Sequence, residues 1–268
     1  QAEDMNMPNI QDISSWTSRT VIRRGQNIHY LVRGEGPLVV LAHGGLGNGQ
    51  MNWIDTGFAD AFADGFQIAI PDSLGHGQSS KPSDPSLYTL KERASDLVAV
   101  ADDLNADTAW YVGYSMGGWT VAGVATHFPE RCDGVVVGGW DVEQGMYRVA
   151  PSFGLEEVTF DDLIRLAKEH APPELTPELS TEEEAALRPA INAINELDGQ
   201  AEALASLDKT VVFWLGQDDP YHDPMLAYAR SHGMTVLSTA GDHQTGGLIS
   251  GATAAAALSG VISHALGV

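Results

Sequence analysis

Short apolar runs bounded by turn residues alternate along this chain with longer segments whose apolar positions recur at helical spacing. The runs Thr20 to Ile22, Ile28 to Val32, Leu38 to Ala42, Gln67 to Ile70, Ala109 to Val112, Gly134 to Val137, Thr210 to Leu215 and Thr235 to Ser238 read as strands. The first two, turning near Gly25, predict an antiparallel hairpin. Several later runs are apolar at every position, as parallel strands covered on both faces must be. Helices are expected over Thr89 to Leu104, Met116 to His127, Pro224 to His232 and about Ala252 to Leu266. The first of these carries Ala94, Leu97, Val98 and Ala101 on one face. The pattern as a whole predicts an α/β fold built on a mostly parallel, doubly wound sheet.

The alternation breaks between about Asp141 and Ser206, a stretch that is helical, acidic and poor in strand formers. Thr159-Phe-Asp-Asp162 and Ser180-Thr-Glu-Glu183 both fit a capping box at a helix start, and Ala171-Pro172-Pro173 reads as a hinge between the two. An insertion of this size between strands predicts a small helical lid over the carboxyl edge of the sheet; the plainer alternative is an acidic surface excursion. The expected organisation is therefore a core over residues 1–140, a lid or cap over 141–206, and the remainder of the core over 207–268.

The run Thr108 to Gly118 carries the strongest chemical signal. A strand ends abruptly in Gly113-Tyr-Ser-Met-Gly117, and helix-like sequence follows at once. A serine at so tight a strand-to-helix junction needs neighbours without bulk two residues on either side, and both are glycine. Such a turn lifts the Ser115 hydroxyl off the backbone and aims it at the positive end of the next helix. A serine hydroxyl is a weak nucleophile until a base takes its proton and an acid orients that base. In a doubly wound sheet these groups come from loops at the carboxyl ends of strands.

Two loops offer them, Gly216-Gln-Asp218-Asp219-Pro220 and Ala240-Gly-Asp-His243-Gln244. His243 is the expected base, with His222 its competitor. Asp219 is the expected acid, ahead of Asp218 and of Asp141, which also follows a strand. Among the other histidines, His29, His43 and His76 read as structural and His127 as a cation at a helix end, while His170, His232 and His264 read as solvated. The Gly-rich turn His43-Gly44-Gly45-Leu46-Gly47, entered from a strand, is suited to present bare amides. Gly45 N–H, or alternatively Leu46 N–H, together with Met116 N–H is the expected oxyanion hole. No Gly-Lys-Ser/Thr follows this loop and Gly-x-Gly-x-x-Gly is absent from it, so a phosphate-cradling role is disfavoured.

Composition narrows the partners. With 36 acidic against 14 basic residues the formal charge is −22, which argues against nucleic acid and anionic membrane surfaces. Only four of the basic residues are lysine, a balance compatible with a salt-rich habitat. The single cysteine, Cys132, rules out an intramolecular disulfide and a multi-cysteine metal site, and it reads as packing. No apolar stretch approaches the roughly 20 residues of a membrane span. Gln1 in first place leaves open a cytoplasmic protein and a secreted or periplasmic one after signal removal. Oligomeric state is not readable.

His43-Gly-Gly, Pro71-Asp-Ser-Leu-Gly-His-Gly-Gln-Ser79-Ser80, Gly113-Tyr-Ser-Met-Gly-Gly118, Gly216-Gln-Asp-Asp219-Pro and Gly241-Asp-His243 stand in the order of the α/β-hydrolase superfamily, which the chain resembles from about Thr20 to its end. The resemblance implies the α/β-hydrolase fold, Asp219 as the acid at the fourth position of Gly-x-x-Asp, and a turn beside the site at Pro71 to Ser80. It also implies that Asp141 sits where certain haloalkane dehalogenases carry their acid. Dehalogenases and epoxide hydrolases of this superfamily use Asp at the elbow, so Ser115 points instead to acyl transfer to water. The expected activity is a serine hydrolase of the esterase-like branch acting on a neutral, apolar carboxylic ester through an acyl-enzyme, with no metal or organic cofactor. A lactonase or a carbon–carbon bond hydrolase on the same triad is the alternative, and a non-catalytic small-ligand sensor the reading from another class. Leu46, Trp119, Trp140, Met146 and Tyr147, with Phe153, are the expected lining of a pocket for a small-molecule substrate.

Overall fold

The computed structural model describes residues 11–170 and 178–268. Eight strands form one sheet: β1 (Thr17–Arg23), β2 (Gln26–Arg33), β3 (Leu38–Ala42), β4 (Gln67–Pro71), β5 (Ala109–Tyr114), β6 (Cys132–Gly138), β7 (Thr210–Gly216) and β8 (Thr235–Thr239). Their order is β1-β2-β4-β3-β5-β6-β7-β8. β1 and β2 form the expected hairpin, and β2 joins β4 antiparallel; every later pair is parallel. The fold is the α/β-hydrolase fold.

The continuous apolar strands are buried on both faces. Along β3, Leu38, Val40 and Ala42 pack against one layer, whereas Val39 and Leu41 pack against the other. The first layer contains α2 (Leu90–Asp103), α3 (Met116–His127) and α7 (His222–Ser231). The second contains the short α1 (Phe58–Ala61) and α8 (Gly251–Leu266). α2 begins where Thr89 caps it, its hydroxyl accepting the Glu92 N–H. α1, only four residues long, is too brief for periodicity to announce. Among the described residues no helix is long and apolar enough to cross a membrane.

Between β6 and β7 lie α4 (Phe160–His170), α5 (Thr181–Asn192) and α6 (Gln200–Ser206), with a short 3-10 turn, Ala193–Asn195, between the last two. Both expected capping boxes form. The Ser180 hydroxyl accepts the Glu183 N–H while the Glu183 carboxylate accepts the Ser180 N–H. Thr159 and Asp162 do the same at the start of α4. The expected hinge at Ala171-Pro172-Pro173 lies outside the described residues. This segment is tied to the core by buried polar bonds. The Trp119 indole donates to Glu196 O at 2.6 Å, the Gln200 amide donates to Trp119 O at 2.9 Å, and the Trp140 indole donates to Gln200 Oε1 at 2.9 Å.

The junction of β5 and α3 is packed without spare room. A Cβ on Gly113 would sit 2.1 Å from Gly117 O, and one on Gly117 would sit 1.9 Å from Ala42 O, at the end of β3. Both contacts are with backbone, which no side-chain rotation relieves. Gly117→Ala is therefore expected to cost at least about 3 kcal/mol of folding stability, the upper end of overpacking, measured by denaturant unfolding. A midpoint equal to that of the parent would contradict this packing.

Candidate active site

Ser115 stands at the turn between β5 and α3 with φ 57° and ψ −119°, a conformation a non-glycine residue adopts only under constraint. Its amide is held by Gly138 O of β6 at 2.9 Å, and its carbonyl accepts the Trp119 N–H at 3.0 Å. The hydroxyl therefore projects from the sheet edge, 3.1 Å from His243 Nε2. His243 Nδ1 in turn lies 2.7 Å from Asp219 Oδ2. The three residues come from loops after β5, β8 and β7, from positions as far as 128 residues apart in sequence.

Each partner is held in place. Asp219, whose carboxylate is fully buried, uses its other oxygen to accept the Tyr221 N–H at 2.9 Å. The His243 loop is gripped from beneath: the Tyr114 phenol donates to His243 O at 2.5 Å, and the two rings lie 5.3 Å apart. Tyr114 immediately precedes Ser115, so one strand end carries the hydroxyl and anchors the loop of the imidazole.

The rival groups are occupied elsewhere. Asp141 is completely buried, but it receives the Arg148 guanidinium at 2.6 Å on one oxygen and the Glu143 and Gln144 amides on the other. His222 pairs with Asp223 and Ser238. Asp218 is exposed.

Gly45 and Met116 both border the cavity beside Ser115. Met116 is the first residue of α3, so its amide has no acceptor within the helix. In the opposite loop the Gly44 amide is committed to Asn52 Oδ1 at 2.7 Å, which fixes the turn just ahead of Gly45. Leu46, at φ 62° and 38% exposed, continues the turn in a left-handed conformation and lines the cavity mouth.

Beneath this loop His43 is buried with its roles divided. Nδ1–H donates to Gly44 O at 2.7 Å, while Nε2 accepts the Ser73 N–H at 2.9 Å. It meets His76 edge to face, with centroids 5.2 Å apart. His43 is thus the loop's fastener, joining it to the Pro71 to Ser80 turn. Burial holds both imidazoles below their ordinary range, His76 most strongly. His29, also buried, pairs with Asp72 in the same turn. Asp72 is held below the usual carboxylate range: burial opposes this, but the His29 ring and the Gln78 and Gly49 amides outweigh it.

The cavity has a volume of about 470 Å³, within the range of small-molecule sites. Leu46, Trp140, Met146 and Phe153 border it, together with Val149, Val158, Leu163, Ile191, Ile194 and Tyr221. Among the described residues its only titratable side chains besides Tyr221 are Asp219 and His243, and no lysine or arginine reaches it. Two expected lining residues do not. Trp119 is fully buried in the core with its indole committed to Glu196 O, because α3 turns that face toward the α5–α6 connection. Tyr147 is 41% exposed and lies outside the cavity; the 3-10 turn Gly145–Arg148 places Met146 inside and its neighbour outside. Among the described residues no group of three or more His, Cys, Asp or Glu side chains is arranged to hold a metal ion. Cys132 is buried, its thiol pushed up to about 12 by burial, and takes no part in the site.

Residues 37–162 match the family model described as the α/β hydrolase fold. The crystal structure of an E-2-(acetamidomethylene)succinate hydrolase superposes over 92% of this chain and 99% of its own, with a TM-score of 0.70 at 18% identity. An enol-lactonase from Burkholderia xenovorans LB400 does so over 93% and 100%, at 0.64 and 21%. The family match covers just under half of the chain, which over that stretch is similar to the α/β-hydrolase superfamily. Among curated proteins it is 36% identical over 117 residues to a cis-3-alkyl-4-alkyloxetan-2-one decarboxylase of Shewanella oneidensis, which is 43% of this chain and 36% of that one. It is 40% identical over 76 residues to 3-oxoadipate enol-lactonase 2 of Acinetobacter baylyi, 28% of each chain. The matched segments thus span about a third of these relatives' length.

The buried histidine pair makes the hydrolase fold acid-sensitive. A histidine whose folded pKa lies below its unfolded value of about 6.5 binds its proton in the unfolded chain first. Stability is then complete above about pH 6.5 and falls as pH drops below it, by up to about 1.4 kcal/mol per pH unit for each such group. His76→Gln should flatten the decline between pH 6.5 and 5, measured by urea unfolding across that range. An unchanged slope would show that His76 does not contribute.

Proposed function

We propose that this protein is a serine hydrolase that cleaves a neutral, apolar carboxylic ester through an acyl-enzyme. The observation that carries the reading is the alignment of Ser115 Oγ, His243 and Asp219 within hydrogen-bond distance at the floor of an apolar cavity. In the proposed cycle His243 Nε2 takes the hydroxyl proton as Ser115 attacks the carbonyl carbon. Gly45 N–H and Met116 N–H receive the oxyanion. Collapse of the intermediate expels the alcohol, which leaves with the proton from His243. A water activated by the same nitrogen then releases the acid. Asp219 accepts Nδ1–H throughout, orienting the ring and favouring its charged form. No step calls for a metal or an organic cofactor.

The absence of basic residues from the lining supports a neutral substrate, because a carboxylate or phosphate would enter without a counter-ion and beside Asp219. A sensor would need the cavity but not the alignment. A lactone is the second reading, and the names of two relatives favour it, an oxetan-2-one decarboxylase and an enol-lactonase. On a lactone the same cycle leaves the departing alkoxide tethered to the acyl group. p-Nitrophenyl esters of increasing chain length, set against a lactone panel, separate the two.

A fluorophosphonate probe should label the wild-type protein at Ser115 and leave Ser115→Ala unlabelled and inactive. Activity that persists without labelling would remove Ser115 from the mechanism. The two buried carboxylates should part in character. Asp219→Asn is expected to lower kcat by up to about 10⁴-fold. Asp141→Asn should act on stability, since it removes the buried partner of the Arg148 guanidinium and leaves it only Glu143, at 3.9 Å. Steady-state kinetics and urea unfolding on both variants test this, and the reverse pattern would transfer the acid to Asp141.

A further inference from the structure

Arg93, in the first turns of α2, is 2% exposed, and among the described residues no carboxylate lies within ion-pair distance of it. The neighbouring acid on the same helix, Asp96, is taken by Arg23 and Arg24. Burying a guanidinium without a counter-ion is unfavourable, so what it touches is informative. Burial draws its pKa down to about 10, which leaves it charged at neutral pH. Nη2 donates to Met116 Sδ at 3.0 Å, Nη1 donates to Ala190 O near the end of α5 at 3.0 Å, and the guanidinium lies over the Trp119 ring, 5.2 Å from its centroid.

These contacts converge on Gly45. A Cβ on Gly45 would lie 3.1 Å from Ile191 Cδ1 and 3.8 Å from Met116 Sδ. The loop bearing Gly45 therefore rests on two side chains, and Arg93 holds both: Met116 by its sulfur, and Ile191 by the carbonyl of the residue before it. We infer that Arg93 is a positioning residue for the reaction, setting the spacing between Met116 N–H and Gly45 N–H by fixing the two residues on which the Gly45 loop rests. The inference rests on the serine-hydrolase reading above. Arg93 touches neither the cavity nor Ser115, so it acts through these two residues.

An oxyanion site is used in the transition state more than in the ground state, so loosening it should appear in kcat. With p-nitrophenyl butyrate, Arg93→Met should lower kcat by about 10- to 100-fold, less than deletion of a whole donor, and hold KM within about twofold. A trifluoromethyl ketone gives the matching readout. Ser115 Oγ adds to its carbonyl carbon, the hydroxyl proton passes to His243, and the resulting oxyanion occupies the same amides. Its inhibition constant should rise in parallel with the loss in kcat. Arg93→Lys, which keeps the charge but reaches one of the two acceptors, should fall between wild type and Arg93→Met in both measurements. An Arg93→Met kcat equal to wild type, or a loss confined to KM or to the unfolding midpoint with ketone affinity retained, overturns the inference. If Arg93→Met does not fold, Arg93→Lys is judged by the same kcat and ketone criteria. Fluorophosphonate labelling of the wild type keeps the two claims apart. Labelled wild type with unaffected variants removes Arg93 alone, whereas active but unlabelled wild type removes the serine-hydrolase reading and this inference together.

Discussion

The contact between the Gly117 α-carbon and the end of β3 sets the geometry of everything at the carboxyl edge of the sheet. At that point helix α3 approaches so closely that a methyl group on Gly117 would meet Ala42 O at 1.9 Å. The approach forces the chain to reverse within one residue, and that residue, Ser115, takes up a positive φ. Strain of this kind costs about 1–3 kcal/mol and survives only where surrounding packing over-determines it. Here the determinants are visible: the Ser115 amide is bonded to β6, its carbonyl starts α3, and Gly113 leaves no room for an alternative path. The close packing that makes the turn strained also brings Met116 beside Gly45 and lifts the hydroxyl toward the loop after β8.

What the sequence made legible is what local pattern encodes. Strands such as Leu38–Ala42 are apolar at every position because both faces are covered, and α3 begins and ends at the residues its pattern marked, Met116 and His127. The glycines around Ser115 had to be glycine for reasons the close contacts make explicit. The position of His243 was also readable, since a loop between the last strand and the last helix can reach only the sheet's carboxyl edge.

What was not legible depends on packing between segments that share no local signal. Trp119 reads equally as pocket or core, and only the Glu196 carbonyl, 77 residues on, consigns it to the core. Met146 and Tyr147 are neighbours of similar size, and a short 3-10 turn sends one inward and the other out. Leu163, Ile191 and Ile194 sit in helical stretches whose apolar faces could have met any surface, and Val158 lies just ahead of one. Arg93 carries no motif at all; on the sequence it is one more charged residue in α2, and only burial without a carboxylate distinguishes it.

Two buried carboxylates show how such a site assigns its parts. Asp141 and Asp219 both follow the carboxyl ends of strands, and both side chains are fully buried. A buried carboxylate must find a cation or several donors, and whatever it finds fixes its use. Asp141 is held by an arginine and two amides from its own turn, which engage both of its oxygens. Asp219 has one amide, from Tyr221, and an imidazole; its second oxygen is free of any permanent cation. Only the latter arrangement lets the strength of the pairing change with the charge on the histidine. An arginine is charged at all times, so its pairing with Asp141 is constant and serves the fold. In the proposed cycle the His243 ring takes up and returns a proton, so the stabilisation offered by Asp219 would be greatest at the moment the ring is charged. Within one sheet edge, the identity of the cation separates a structural acid from one that can serve a reaction.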